Sequence, residues 1–432
     1  MKKKTILQPG DGQPLVLARS EHRLSRKLID EDTIKVLYRL HRHGFRACLV
    51  GGGVRDLLLG RKPKDFDVGT DATPNQVRKL FRNCFLVGRR FRLAHIRFGP
   101  DRLVEVATFR RQAEQSELPD CPKERAVASE NVFGTPEEDA FRRDFTINAL
   151  FYDISDFSII DYVGGLQDLE NRQIRVIGDP LVRFEEDPVR MLRALEFAAR
   201  LEFDLESSAR EAIRVQAHLL AGAAPARLRE ELMELFRHKV AGPVLRQAKA
   251  TGLLEHIFPD YTADDETLRL IDRIDQRTAS GVPVTEAVML ASLYLSDFRR
   301  RLAAAPDIDF AAAMHLANGL LEPHRAHYHI AHGIRHQARE MLLGIYRLKR
   351  GRGRRGESRF LRHPATAAAF ELFQLWHEVN GGEEELIKAW QPLISSRPAG
   401  GEVKSRQKNR PGGNRRRRRP RRKPAAQSSD SN

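Results

Sequence analysis

The sequence predicts an α/β head with a small mixed β-sheet, then an all-helical neck and body, and a disordered basic tail. Three observations lead to this prediction. Residues 47–69 have the pattern of a strand, a glycine turn, a short helix, a loop and a second strand. From Glu185 onward the apolar residues follow helical spacing, without a convincing strand pattern. Residues 402–432 contain twelve Lys or Arg and only two acids, and such a density of like charge prevents a packed core.

Length and composition set the broad class. The 432 residues are 41% hydrophobic and 31% charged, which indicates two to four globular domains. No apolar run reaches the roughly 18 residues of a membrane span, and no apolar segment follows the basic residues 2–4. Three scattered cysteines, Cys48, Cys84 and Cys121, suit a reducing compartment. We therefore expect a cytoplasmic monomer with no membrane span.

The head is predicted element by element. Residues 1–30 are expected to form a flexible arm, ending where Asp30 begins a helix that runs to Leu40. Thr73 and Pro74 are typical of a second helix start. Strands are predicted at 84–87, 93–98, 103–109, 158–163 and 173–177, and a long polar loop beside the active site at 111–139.

The remainder of the chain is predicted to be helical. The helical patterns cover 188–201, 205–220, 226–239, 242–253, 264–278, 284–303, 323–348 and 366–379. The expected domains are a head at 31–180, a neck at 181–240, a body at 241–395 and a tail at 396–432.

The glycine turn has the chemistry of a phosphate site. Ala47–Val50 is an apolar run that stops at Gly51, Gly52 and a third glycine, and glycine lets a backbone approach a ligand closely. The N–H groups where the turn enters the helix at 54–59 would bind phosphate, with Arg55 close by. The spacing matches neither a P-loop nor a dinucleotide-binding fold.

Two carboxylates follow the turn. If Asp65 and Asp67 lie in one strand, their side chains share a face and their Cα atoms are about 6.5 Å apart. This spacing would let both carboxylates converge on a pair of Mg²⁺ ions about 4 Å apart, with Mn²⁺ as the alternative metal. An isolated Asp-x-Asp, however, is more often a hydrated strand face.

Glycine turn, Arg55 and an Asp pair twelve residues after Gly53 form a composite that chance seldom produces. It resembles the head-domain signature of the nucleotidyltransferase superfamily, in the class shared by bacterial poly(A) polymerases and CCA-adding enzymes. The resemblance implies a nucleotidyltransferase head that transfers nucleotides to RNA 3′ ends without a template, with Asp65 and Asp67 as metal ligands.

A third acid commonly completes such a site, and the sequence offers two. Glu105 interrupts an apolar strand, where a carboxylate is costly unless it is paired or on metal. Asp144 lies beside Arg142 and Arg143, and its alternative role is a structural ion pair with one of them. By resemblance, Arg142, Arg143 and Asp144 match a motif that handles the ribose and phosphates of the incoming nucleotide.

A second strong signal is Glu186–Arg193. Asp187 before a proline is typical of a helix N-cap, and Asp187 and Arg190 lie on the same helix face. Asp can accept from adenine N6 and Arg can donate to N1, so the pair could read a base; a cap with a salt bridge is the alternative. The stretch resembles the Glu-Asp-x-x-Arg motif by which this class selects the nucleotide.

Three further stretches, 86–96, 131–135 and 359–364, resemble the poly(A) polymerase branch of the class. The resemblance implies an enzyme that uses ATP to add AMP to RNA 3′ ends; a CCA-adding enzyme is the alternative. A non-catalytic RNA-binding protein would explain the basic surface but not the carboxylates and the Asp187–Arg190 pair.

The tail is expected to bind RNA phosphates without sequence preference, a solubilising tail being the alternative. The densest cations are five consecutive arginines, Arg415, Arg416, Arg417, Arg418 and Arg419.

A histidine cluster at 324–336 invites a metal interpretation. Its five histidines are predicted to lie on one helical stretch, two of them four residues apart. Because no glutamate lies between those two, a helix packed against the body is the preferred interpretation.

Overall fold

The computed structural model describes residues 13–88, 92–100, 102–113, 132–258, 261 and 263–395. These residues form a head with a mixed β-sheet, followed by helices, which confirms the predicted fold class. The sheet contains β1 (Leu15–Leu17), β2 (Ala47–Val50), β3 (Asp67–Thr70), β4 (Cys84–Val87), β5 (Leu93–Arg97), β6 (Leu103–Thr108), β7 (Leu150–Asp153) and β8 (Ile159–Asp161).

The strand order in this sheet is β1-β8-β7-β2-β3-β6-β5-β4. Only β3 and β6 pair in parallel, and the other neighbours are antiparallel. The predicted β2 and β4 are confirmed to the residue, and β5 and β6 each end one residue early. The third strand begins at Asp67, so Asp65 precedes it instead of lying inside it as predicted.

Three features of the strands differ from prediction. Residues 15–17, expected in the N-terminal arm, form β1 and pair with β8, while β7 was not predicted at all. Residues 173–177 were predicted to complete the main sheet, but only β9 (Gln173–Ile174) is a strand there. It pairs in parallel with β10 (Asp204–Leu205) in a separate two-stranded sheet. These strands have only two to four residues, so they leave little periodicity to detect.

The described helices are α1 (Glu31–Arg42), α2 (Gly52–Leu58), α3 (Pro74–Leu80), α4 (Pro136–Arg142), α5 (Gly165–Asn171), α6 (Pro180–Glu186), α7 (Val189–Leu201), α8 (Ser207–Gln216), α9 (Pro225–Arg237), α10 (Ala241–Ala250), α11 (Leu254–Ile257), α12 (Asp265–Ala279), α13 (Glu286–Ala304), α14 (Phe310–Tyr328), α15 (His332–Lys349), α16 (Glu357–Arg362), α17 (Thr366–Asn380) and α18 (Glu384–Ser395). Across the described ranges, none of them combines the length and apolar character needed to cross a bilayer.

The sheet is covered on both faces. One face carries Val68 and Val106 into the main core, which continues through the helices of the neck and body. The other face carries a smaller apolar cluster that includes Phe109 and Phe151 and is closed by Ala140 of α4.

Helix α4 corrects the prediction of a loop over 111–139. Its start is a capping box, in which the Thr135 hydroxyl accepts from the Glu138 N–H and the Glu138 carboxylate accepts from the Thr135 N–H at 2.7 Å. Pro136 occupies the first helical position. Residues 114–131 of the predicted loop lie outside the described residues.

The body departs from prediction at 323–348, which was expected to be one helix. Two helices meet there, because α14 ends at His329, whose φ of +50° is left-handed. Tyr328 is buried and donates a hydrogen bond to the Ile257 carbonyl, which fixes the chain at this turn. A tertiary anchor therefore ends a helix that the local sequence would allow to continue.

The predicted histidine cluster is divided by this turn. His324 is buried on α14 and stacks on Phe258 with ring centroids 5.2 Å apart, and burial lowers the pKa of His324 to about 3. His332 and His336 lie on the next helix, 6.3 Å apart between ring centroids. The preferred interpretation, a helix packed against the body, fits His324, which is neutral and part of the core.

Helices α10 and α12 are joined by a hydrogen bond to the buried carboxylate of Asp275 on α12. Asp275 Oδ2 accepts from the Gly242 N–H at 2.8 Å, while its other oxygen is buried and has no hydrogen-bond partner. Burial raises the pKa of Asp275 to about 7, more than the backbone N–H groups lower it. The folded protein therefore holds a proton on Asp275 that the unfolded chain releases near pH 4.

This carboxylate predicts a pH-dependent stability. Because the folded-state pKa of Asp275 is raised, its contribution is fully present below pH 4 and is lost as the pH rises through 7. The free energy of unfolding of Asp275→Asn relative to wild type should therefore rise by about 2 kcal/mol or more between pH 5 and pH 8, because only wild type loses the contribution of the protonated carboxyl. Urea unfolding of both proteins across this range measures the difference; a constant difference would contradict the assignment.

Candidate active site

The glycine turn lies where β2 meets α2, beside the strand that bears the carboxylates. Gly51 has a φ of +70°, which favours glycine. A Cβ atom at Gly51 would lie 3.0 Å from the Arg143 guanidinium, so glycine also makes room for this arginine. Val50, the residue before the turn, pairs with Asp67 across the antiparallel strands. Sheet register therefore brings Gly51, Gly52 and Asp67 to one corner of the head.

Glu105 is the second carboxylate at this corner. It is the direct partner of Asp67 in the parallel pairing of β3 with β6. The neighbouring antiparallel strand places His95 opposite Glu105, with His95 Nε2 3.4 Å from Glu105 Oε1. Two carboxylates on directly paired residues share one face of the sheet. The sequence identified Glu105 as an anomaly in an apolar strand, but only the pairing brings it to Asp67.

Like charges accumulate around Asp67. Loss of hydration and the charges of Glu105 and Asp65 raise the pKa of Asp67 to about 6, and Arg143 opposes this rise. Asp65 lies two residues ahead of the strand, in an exposed position. A cation at this corner would relieve the repulsion among these carboxylates.

The donor set fits Mg²⁺. Within the described ranges, no group of three or more His, Cys, Asp or Glu side chains is close enough to hold a metal by itself. Protein-bound Mg²⁺ at phosphate sites commonly takes one or two carboxylates and completes its shell with water and substrate phosphates. Asp65 and Asp67 supply hard oxygen ligands of this kind.

Arg143 bridges α4 and the glycine turn. Its Nε and Nη2 donate to Asp139 Oδ2 at 3.2 and 2.9 Å, and Nη1 donates to the Asn148 carbonyl at 3.1 Å. Its guanidinium also lies over the Phe151 ring. These contacts hold a cation against Gly51, where the predicted phosphates would lie.

Arg55 lies beside the same turn, since a Cβ atom at Gly52 would be 3.4 Å from Arg55 Nη2. Its side chain is 3% exposed and donates to Asp56 at 2.7 Å and to Asn148 Oδ1 at 2.5 Å. The guanidinium also lies 5.2 Å from the centroid of the Phe197 ring. Arg55 is therefore enclosed between α2 and α7 and its bonds fix the turn, while its contact with phosphate stays a prediction.

Asp144 lies in an ion pair with a residue of α7, and not with Arg142 or Arg143 as the alternative interpretation proposed. Arg193 Nε and Nη2 donate to Asp144 Oδ2 at 3.1 and 2.9 Å, while Oδ1 accepts from the Phe145 N–H and from Asn148. Burial alone would raise the pKa of Asp144, but Arg193 and these hydrogen bonds lower it below its ordinary value. Asp144 therefore joins the head to α7 as a fully paired carboxylate.

A second link runs from the same segment to α6. Arg183 is buried and its Nη2 donates to the carbonyls of Arg142 and Arg143, each at 2.8 Å. Its Nη1 donates to Glu186 at 2.6 Å. Arg183 has no local sequence signal, because its backbone acceptors are 41 and 40 residues away.

The predicted base-reading pair lies at the start of α7. Asp187 accepts from the Val189 N–H, a capping contact, and its Oδ2 is 3.8 Å from Arg190 Nε. Arg227 of α9, which the sequence analysis missed, binds Asp187 through two hydrogen bonds of 2.9 and 2.7 Å. Arg190 donates to Glu186 at 3.1 Å. The pair is thus held by flanking partners from two helices.

Some predicted features lie outside the described residues. They are residues 89–91 and 131 of the stretches that resemble the poly(A) polymerase branch, Cys121, residues 1–12 and 396–432, and the five tail arginines Arg415, Arg416, Arg417, Arg418 and Arg419.

Three family models match the chain. A poly A polymerase head domain covers residues 47–175, and a probable RNA and SrmB-binding site of polymerase A covers 202–265. An arginine-rich C-terminus of polymerase A covers 307–423.

The similar proteins are named poly(A) polymerase or CCA-adding enzyme, which are the two branches considered above. Poly(A) polymerase I of Salmonella typhimurium is 41% identical over 403 residues, covering 89% of this chain and 86% of the relative. A CCA-adding enzyme of Bacillus pumilus is 39% identical over 224 residues, covering 52% of this chain and 54% of that enzyme. The crystal structure of the Bacillus stearothermophilus CCA-adding enzyme with CTP has a TM-score of 0.63 at 24% identity, covering 85% of this chain and 83% of that one. It shares the fold.

Proposed function

The chain belongs to the bacterial poly(A) polymerase family, and on this premise we propose that it adds AMP from ATP to RNA 3′ hydroxyls without a template. The observation that carries the proposal at the site is the pairing of Asp67 with Glu105 beside the glycine turn. Phosphoryl transfer needs negative oxygens for metal and cations for phosphate, and this corner combines the carboxylates with Arg143.

In this proposal Asp65 and Asp67 hold the metal, which draws charge from the reacting oxygens when it is bound. Glu105 accepts the proton of the 3′ hydroxyl as that oxygen bonds to the α-phosphorus of ATP and pyrophosphate leaves, since it is the carboxylate directly opposite Asp67. Gly51, Gly52 and Arg143 bind the triphosphate, Arg142 contributes charge nearby, and Arg55 positions the turn. Asp144 holds α7 against the head through Arg193.

The extent of similarity favours poly(A) over CCA addition. Similarity to poly(A) polymerase I continues through 89% of the chain, whereas the Bacillus pumilus CCA-adding enzyme matches 52% of it. The match to an arginine-rich C-terminus supports the same branch.

We further propose a division of function among the domains. We assign nucleotide transfer to the head at 31–180, base selection to the neck at 181–240 and RNA binding to the body at 241–395. The tail at 396–432, with Arg415–Arg419, would hold RNA phosphates. We propose a cytoplasmic monomer whose partners are ATP and RNA 3′ ends.

The test offers each nucleoside triphosphate with Mg²⁺ and an unstructured RNA, then ATP with CTP and a tRNA lacking its 3′ end. We expect long AMP tails on the unstructured RNA and discrimination against CTP. Ordered C-C-A addition that stops on the tRNA, with no tailing of the other RNA, would identify the CCA branch instead.

Base selection gives a separate prediction. Arg190→Ala should reduce the preference for ATP over CTP by about tenfold or more, since an unpaired hydrogen bond costs about 1–3 kcal/mol. Metal-dependent turnover should fall less, because Arg190 contacts Asp187 and Glu186 and not the proposed metal ligands Asp65 and Asp67. The ratio of kcat/KM values for the two nucleotides measures the effect. Arg214→Ala, which removes an exposed arginine paired with Glu211, is the control; equal ratios in both variants would contradict the assignment.

A further inference from the structure

A basic, aromatic cavity lies in the body, between α14, the carboxyl end of α15 and the loop that follows it. Its volume is about 470 Å³. The walls include the aromatic rings of Phe310 and Tyr346 and the arginines Arg347, Arg350, Arg354 and Arg355. None of these residues takes part in the site described above.

A second cavity of about 220 Å³ adjoins the first. The two cavities share Phe310, Arg347 and Phe360, and the second adds Arg359. Together they form one groove with arginines along it and Phe310 in the middle, which we call the basic groove. A groove with cations on both sides of an aromatic ring suits a ligand that carries more than one anionic group.

The arginines of the basic groove differ from most others in the body. Arg273, Arg277 and Arg299 pair with glutamates at distances of 2.6, 2.5 and 2.5 Å. Among the described residues, in contrast, no carboxylate forms an ion pair with the groove arginines Arg347, Arg354, Arg355 or Arg359. Two acids also line these cavities, but both have other partners: Glu357 is bound by Arg352 and the Gly353 N–H, and Glu340 by Arg339.

Arg347 stands at the centre of the basic groove. Its guanidinium is 4.3 Å from the centroid of the Phe310 ring, and Phe310 remains 39% exposed. Burial and the charge of Arg359 lower the pKa of Arg347 more than the nearby charge of Glu340 raises it, and no carboxylate of the described residues forms an ion pair with this cation. An anion bound in the groove would form such a pair.

We propose that the basic groove binds a single-stranded segment of the RNA substrate, at some distance along the strand from the 3′ end. The inference rests on the proposed function for the identity of the polyanion. The arginines contact successive phosphates, and an unpaired base stacks on the Phe310–Arg347 pair, as bases do on aromatic and guanidinium faces. Residues 310–360 are separate from 202–265, the segment matched by the probable RNA-binding model.

The test measures binding of the full chain, without nucleotide, to a fluorescent 20-nucleotide oligo(A) and to an RNA duplex of equal length. Arg354→Ala with Arg355→Ala should weaken single-strand binding about tenfold. The slope of log Kd against log salt should fall by about 1.4, roughly 0.7 for each lost phosphate contact. Arg300→Ala with Arg301→Ala is the matched control, because both arginines are exposed on α13 and pair with Asp297.

Phe310→Ala tests the stacking. We expect it to weaken oligo(A) binding about tenfold and leave duplex binding unchanged, while Phe310→Tyr, which retains a ring, binds normally. Equal losses in the Arg354/Arg355 and Arg300/Arg301 variants would overturn the proposal. So would equal loss of oligo(A), duplex and poly-glutamate binding in the Arg354/Arg355 variant, which would make the groove a general polyanion patch.

Separate measurements of RNA binding and of AMP addition distinguish a failure of the groove proposal from a failure of the proposed function. The groove variants should raise the KM for RNA about tenfold and change kcat far less, because the groove lies in the body whereas Asp67 and Glu105 lie in the head. A wild-type protein that binds oligo(A) through the groove but adds no AMP would contradict the proposed function and leave the groove supported.

Discussion

Asp67→Ala is expected to reduce the rate of AMP addition by about a thousandfold or more, with the fold intact. The variant removes a proposed metal ligand, and a bound metal contributes several kcal/mol to the stabilisation of charge in the transition state. The same loss is expected for Asp65→Ala. Single-turnover assays with saturating ATP and RNA measure it.

Stability should not fall in the Asp67 variant. Asp67 lies directly opposite Glu105, and like charges on paired strand residues are destabilising. Asp71→Ala is the matched control, because Asp71 follows the same strand and its carboxylate accepts from the Arg46 N–H. A folded Asp67→Ala protein with activity within tenfold of wild type would refute the metal-ligand role.

Glu105→Gln and Asp144→Asn are expected to fail in different ways, which identifies the third catalytic carboxylate. Glu105→Gln should lower turnover by about a hundredfold or more through loss of the proton acceptor, with unchanged stability. Asp144→Asn should lower the free energy of unfolding by about 2–4 kcal/mol, because it removes the carboxylate that Arg193 binds with two hydrogen bonds.

A double-mutant cycle distinguishes the two roles. Asp144→Asn and Arg193→Met should be coupled by about 2 kcal/mol in urea unfolding, as expected for residues in contact. Suppose instead that Asp144→Asn abolished activity with unchanged stability and without coupling to Arg193. Asp144, and not Glu105, would then be the third catalytic carboxylate.

Local sequence was sufficient for the elements that carry their own signals. The apolar run of β2, the three glycines and the short helix after them are contiguous, so their geometry follows from neighbouring residues. Helix α3, with its Thr73 and Pro74 start, was likewise predicted from residues that contact one another along the chain. Asp65, Asp67, Asp187 and Arg190 belong to such segments, which is why motif and spacing identified them.

Residue pairing between distant segments required the tertiary structure. Asp67 meets Glu105 through the only parallel pairing in the main sheet, and Asp187 meets Arg227 across two helices. No local sequence pattern predicts either contact, because each depends on how separately formed elements pack.

The same distinction applies to Arg55 and to the end of α14. The sequence placed Arg55 beside the glycine turn, and only the packing of α7 over α2 encloses its guanidinium beneath Phe197. His329 ends α14 because Tyr328 is anchored to a carbonyl 71 residues away. The sequence alone determined elements such as β2, the glycine turn and α3, since these depend on short-range sterics and periodicity. Tertiary packing decided which charges face one another, because that depends on contacts between residues far apart in the chain.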